Sequence, residues 1–240
     1  MIDNFWEKYN LEEDRYYNFF DFKNSDFFFS DYIIITESSN DCKVVQQLLD
    51  LSGIDSEELG ISLIPASGER NIKYPYAIAT ELEIPFICIV DRDVFQPYRN
   101  EKREDSLDEQ GIPLYRNSIK KGSPIMELLS KEDQIKIIDC FSQEKYNDGL
   151  SILEKYHIVS MRYAFEVDLV ICKSYCETMC NVIGITPPTS KFEHLLTNYS
   201  NAIKKYGVIN ETLQRQGIQN LPKSYRKIIN NVKEMTEQSK

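Results

Sequence analysis

Between residues 32 and 90, three short apolar runs alternate with two stretches of helical periodicity, and few folds accommodate that order. The runs YIII (32–35), ISLI (61–64) and FICIV (86–90) are four or five residues long and mostly apolar at consecutive positions, as strands buried on both faces are. Residues 40–51 set Val44, Val45, Leu48, Leu49 and Leu51 at helical spacing between the first two runs. Residues 71–82 predict a second helix, with Pro75 in or near its first turn, where a missing N–H costs nothing. Strand, helix, strand, helix, strand predicts an α/β fold in which helices flank a parallel sheet.

A chain of 240 residues can bury one sizeable core with a smaller attachment. Residues 1–30 are expected to form an N-terminal arm. Phe5, Trp6, Tyr9, Tyr16, Tyr17, Phe19, Phe20, Phe22, Phe27, Phe28, Phe29 and Tyr32 hold 12 of the 28 aromatic residues. Such an arm either packs over one face of the sheet or offers aromatic anchors to a partner. The α/β domain is expected over 31–184, with a charged, turn-rich and exposed insertion at about 98–124. Helical periodicity resumes over 125–156, IVSMRYAF (158–165) predicts a fourth strand, and a helix follows over 169–182. Pro187 and Pro188 end it, and 185–240 reads as a helical C-terminal extension dotted with basic residues.

The formal charge of −10 argues against indiscriminate binding to a phosphate backbone, whose affinity comes from counterions displaced by Lys and Arg. A nucleic-acid substrate would then need bound cations or a partner's basic groove. No run is long enough to cross a bilayer and no cationic leader is recognisable, so the expected location is the cytoplasm, away from membranes. Cys42, Cys88, Cys140, Cys172, Cys176 and Cys180 are scattered through predicted elements, as free thiols would be. The last three recur every four residues. With no supporting Cys or His pair, a buried helix face explains that spacing better than a metal site does.

In open parallel sheets, ligands bind beyond the carboxyl ends of the strands. The first strand runs into TESSND, bringing Glu37 to that edge and Asp41 into the next helix's first turn. The second runs into PASGERN, where Gly68 permits a tight turn beside Ser67, Arg70 and Asn71. The third ends in Asp91 and Asp93, whose side chains share a direction if the chain stays extended. Taken singly, Glu37 or Asp41 is also a common charge at a helix start, and Asp91 a common turn former. Four carboxylates at one edge point instead to a hard cation such as Mg²⁺ or Mn²⁺.

Residues 32–93 resemble the TOPRIM domain of topoisomerases, primases and several nucleases. Its marks are a glutamate after the first strand, a glycine after the second and Asp-x-Asp after the third, matched here by Glu37, Gly68 and Asp91-Arg92-Asp93. The resemblance is to the TOPRIM of OLD-family nucleases in particular, whose first motif is Glu-x-x-x-Asp, as in Glu37 to Asp41. The family usually has a glycine after that glutamate, where this chain has Ser38. OLD proteins carry an ATPase domain before the TOPRIM, and nothing here resembles a P-loop. The chain is thus expected to be similar to the TOPRIM nuclease subunits of two-gene antiphage systems such as PARIS. What the resemblance implies is a Rossmann-like TOPRIM fold and phosphodiester cleavage with one or two Mg²⁺ or Mn²⁺ ions.

On that resemblance Asp91 and Asp93 hold one ion, Glu37 acts as ligand or general base, and Asp41 serves a second ion, completed by Glu166 and Asp168. The last two also read as an ordinary helix-start pair. The family's lysine at the scissile phosphate has candidates in Lys120, Lys121, Lys191 and Lys223, among which the sequence does not choose. Lys223, Arg226 and Lys227 are candidate contacts to a DNA or RNA backbone, or a solvated helix face. His157 and His194 lack a neighbouring nucleophile or metal pattern and read as structural. The partners implied are an ATPase subunit, nucleic acid and a second copy of the chain. The competing reading is a catalytically quiet TOPRIM-fold subunit that docks on an ATPase. Nucleotidyl transfer of the primase kind is weakened by the lack of a zinc module.

Overall fold

The computed structural model describes residues 5–20, 27–188 and 192–237. Phe22 and Lys191 lie outside them. Two short helices, α1 (Phe5–Lys8) and α2 (Glu13–Phe19), precede the strand β1 (Tyr32–Thr36). Then come α3 (Ser39–Leu51), β2 (Ile61–Pro65), α4 (Lys73–Glu81) and β3 (Phe86–Val90). The region expected as one helical stretch breaks into α5 (Pro124–Glu127), α6 (Lys131–Ser142) and α7 (Tyr146–Glu154). The fourth strand, β4, is short, Ile158–Ser160, and leads into α8 (Phe165–Ile171) and α9 (Lys173–Ile183). The extension folds as α10 (Glu193–Asn198), α11 (Ser200–Ile203), α12 (Tyr206–Gln216) and α13 (Lys223–Glu237).

The sheet is parallel throughout, in the order β2-β1-β3-β4. Strands β1 and β3 lie in the middle and are buried at every residue, which is why both are uninterrupted apolar runs. Alternate side chains feed two cores. Ile34, Ile87, Ile89 and Val159 join Val44, Val45, Leu48 and Leu49 of α3 with residues of α8, α9, α12 and α13. Ile33, Ile35, Cys88, Val90 and Ile158 join α4 to α7 and the N-terminal arm. The arm therefore closes a core, with Phe5, Leu11, Phe19 and Phe27 buried. Phe28 and Phe29 remain exposed.

The side of the sheet on which each connection runs sets the position of the site. From β1 the chain leaves through α3 on one face; from β3 it leaves through α5 to α7 on the other. Neighbouring strands whose connections diverge open a crevice at their carboxyl ends. Glu37 and the Asp91-Arg92-Asp93 turn directly follow those two strand ends.

The insertion is less exposed than its composition predicts. Tyr98 bridges to Tyr115 and Leu107 to Pro113, while Arg103 and Ser106 are buried. Gly111, at φ +84°, is so close to α10 that a Cβ there would sit 2.1 Å from the Glu193 nitrogen. All six cysteines are free, and Cys176 and Cys180 are buried on α9. Among the described residues, no helix is long and apolar enough to cross a membrane.

Candidate active site

Glu37 follows β1 directly, and its loop is clamped to the one after β2. Ala66 N donates to Thr36 O at 2.8 Å and Gly68 N to Glu37 O at 2.9 Å. Gly68 adopts φ +118°, which a side chain would strain. Ser38, the departure from the family's glycine, caps α3. Its Oγ accepts from Asp41 N at 3.3 Å, and Asp41 Oδ2 accepts from Ser38 N at 3.0 Å and from Ser38 Oγ at 2.8 Å. Asp41 is thus both a member of the carboxylate group and half of a capping box.

The chain does not stay extended through the Asp-x-Asp. Asp91 has extended dihedrals, but residues 92–94 make a 3₁₀ turn, so the two carboxylates are gathered by a turn rather than by strand alternation. Arg92, buried between them, holds that turn. Its N–H donates to Tyr163 O at 2.9 Å, and its Nε to Gln96 Oε1 at 2.6 Å. Its guanidinium carbon lies 4.5 Å from the ring centre of Tyr115 and 4.6 Å from that of Tyr146. Asp91 Oδ1 accepts from Phe165 N at 3.3 Å, which ties β3's end to the start of α8.

Electrostatically these residues form one group. Burial raises the Asp91 carboxyl well above its usual range, and Glu166, Asp93, Asp41 and Glu37 add to the effect. Glu37 is pushed up to about 7 by burial, then by Asp93, Asp41 and Glu69, with Lys120 opposing. Burial also raises Asp93 and Asp41. Glu69 and Lys120 pair at 2.6 Å beside Glu37 and Asp93. Sequence reasoning passed over Glu69, although it directly follows the Gly68 turn. Of the three candidate lysines among the described residues, Lys120 is the one whose field reaches both Glu37 and Asp93.

Glu166 joins the group but is engaged: its Oε1 takes a 2.5 Å bond from Arg103. Asp168, expected as a ligand of a second ion, is held by hydrogen bonds. Its Oδ1 accepts from Tyr163 N and its Oδ2 from Arg162 N, each at 3.0 Å, and Ser224 Oγ adds a further bond. The fold uses it as a brace between the loop after β4 and the start of α13. At that start, Lys223 and Arg226 are exposed, whereas Lys227 is paired with Glu154. His157 and His194 are exposed, and His194 bonds Asn198. Oxygen-only donors under mutual repulsion suit a hard divalent cation. Among the described residues, no three Asp, Glu, His or Cys side chains close into a ready-made ligand cage.

Residues 28–93 match the family model for the "Overcoming lysogenization defect protein-like, TOPRIM domain". Over those residues the chain resembles the OLD-like TOPRIM domain. The match takes in Glu37, Asp41, Gly68, Asp91 and Asp93. The whole fold resembles the C-terminal region of the Xanthomonas campestris pv. campestris OLD protein. They are 15% identical, with a TM-score of 0.55, over 89% of this chain and 97% of that one. The corresponding region of the Burkholderia pseudomallei OLD protein is 13% identical, with a TM-score of 0.52, over 86% and 98%. At these identities the likeness is one of fold, and it runs well beyond the OLD-like TOPRIM segment into the helical extension. A comparison with curated proteins finds no match.

Proposed function

We propose that this chain is a nuclease that hydrolyses phosphodiester bonds in DNA or RNA with one or two Mg²⁺ or Mn²⁺ ions. The observation that carries the reading is the gathering of Glu37, Asp91 and Asp93 at the carboxyl ends of β1 and β3, where burial raises all three carboxyls and neighbouring carboxylates add to it. A bound divalent cation would supply an acidified water and offset the charge on the leaving oxygen. Asp91 and Asp93 would hold the first ion with Glu37. Asp41 and Glu166, whose charges act on Asp91, would serve a second.

Glu37, titrating near neutrality, is suited to exchange a proton at the attacking water. Lys120, released from Glu69, would meet the phosphate, and Lys223 and Arg226 would touch the flanking backbone. With a net charge of −10 the chain needs help to retain its substrate. We assign that help, and control of cutting, to an ATPase subunit of an antiphage system, with self-association as a further means of control. The exposed Phe28 and Phe29 favour a docking role as a second reading, in which the chain is catalytically quiet.

The test is cleavage of plasmid DNA and of RNA by the purified chain, alone and with an ATPase encoded beside it. Activity should require Mg²⁺ or Mn²⁺, vanish in chelator and fall about a thousandfold in Asp91→Ala and Glu37→Ala. Cleavage that persists in chelator, or in Asp91→Ala, overturns the reading.

A further inference from the structure

Arg103, in the 98–124 segment, reaches 63 positions along the chain to bond Glu166 at 2.5 Å. The side chains are 5% and 7% exposed. A second guanidinium nitrogen donates to Ser200 Oγ of α11 at 2.7 Å. The segment is fastened around this contact: Ser106 Oγ accepts from Asn100 N and donates to Lys102 O, both at 2.8 Å. Lys204 stands 3.9 Å from the same carboxylate, half exposed. Glu166 in turn lies near enough to Asp41, Asp91 and Asp93 to raise each of them.

A guanidinium does not lose its charge in a protein, so Glu166 has a permanent counter-ion supplied by a loop. We propose, resting on the metal-nuclease reading above, that Arg103 occupies Glu166 in place of a cation. The folded chain then offers Glu37, Asp91 and Asp93 to one divalent cation, which would draw them together, and a second site opens beside Glu166 only when Arg103 withdraws. Guanidinium and dication compete for the same carboxylate oxygens, and the buried guanidinium, in direct hydrogen-bond contact, holds the oxygen that a dication would need. Arg103 Nε is buried without a hydrogen-bond partner, which leaves the closed arrangement with an unmet desolvation cost and eases withdrawal. The flanking Lys102, Glu104 and Asp105 are exposed, so a nucleic acid or partner touching them acts on Arg103 directly.

The experiment is a Mn²⁺ titration of the full chain, with free Mn²⁺ read by electron paramagnetic resonance and folding checked by circular dichroism. Wild type should bind one ion. Arg103→Gln should bind a second at least tenfold more tightly than wild type does, and adding Glu166→Gln should remove that gain. A folded Arg103→Gln with wild-type stoichiometry and affinity overturns the proposal, as does a wild type that already binds two ions tightly. If Arg103→Gln fails to fold, Arg103→Lys decides. Its ammonium sits on a shorter stem and lacks the planar fork that holds Glu166 and Ser200 through separate nitrogens, so second-ion affinity should rise threefold or more, and no rise overturns the proposal. One ion in every protein defeats this proposal and spares the nuclease reading; no ion in any of them defeats both.

Discussion

At the residue scale, Glu37 is the group whose chemistry departs most usefully from the ordinary. Its carboxyl is raised from 4.5 to about 7, so the folded chain holds a proton there that the unfolded chain has released. Between those values the native state binds more protons, and stability falls as pH rises. The contribution is whole below about 4.5 and lost through about 7. In metal-free protein, Glu37→Gln should therefore be more stable than wild type at pH 8 by about 1–3 kcal/mol, and level with it near pH 4. Urea unfolding in chelator at the two pH values measures this; an equal difference at both would remove the assignment. Arg92 is the complementary case, a buried cation spent on holding a turn. Arg92→Met keeps apolar bulk but leaves Gln96 Oε1 without its donor, and should loosen the Asp91–Asp93 turn.

At the element scale, two helix starts carry the site, and they should respond differently to mutation. Ser38 caps α3 beside Glu37, and Ser38→Ala should cost about 1 kcal/mol in urea unfolding. Asp168, near the start of α8, receives two backbone N–H bonds and the Ser224 hydroxyl. Asp168→Ala would leave buried donors unmet, at about 3 kcal/mol, and should lower the melting temperature sharply. A brace and a metal ligand part company here. If Asp168→Ala melts like wild type yet loses Mn²⁺, Asp168 is a ligand after all.

For the whole molecule, the N-terminal arm and the 98–124 segment belong to the body of the fold more than to its surface. Phe27 is fully buried in the core that holds Ile33 and Ile35, so Phe27→Ala should cost about 3–4 kcal/mol. Deleting the arm would damage the core along with any docking surface. Phe29, 88% exposed, is the position to change instead: Phe29→Ser should leave the melting temperature within a degree or two while weakening ATPase co-purification. Unchanged co-purification would take the arm out of the interface. Charge reversal at Lys102 probes the surface cleanly, whereas at Arg103 it strands a buried glutamate.

What the amino-acid order determined by itself was local or periodic. The three apolar runs give strands, the spacing of Val44 to Leu51 gives the first crossover helix, and once the sheet is parallel, Glu37 and Asp91 must stand at its carboxyl edge. Backbone geometry ties those residues to that edge with no knowledge of distant packing. What only the tertiary structure decided were pairings between remote segments: Glu69 with Lys120, 51 positions apart; Arg103 with Glu166; and Asp168 with Ser224, 56 apart. The same holds for the breaks that split residues 125–156 into three helices and stop β4 at Ser160. A charged residue in a turn-rich stretch reads as solvated because composition reports only what can face water. Whether Arg103 does so depends on a buried carboxylate that the folded chain brings to it, and that complementarity has no local signature.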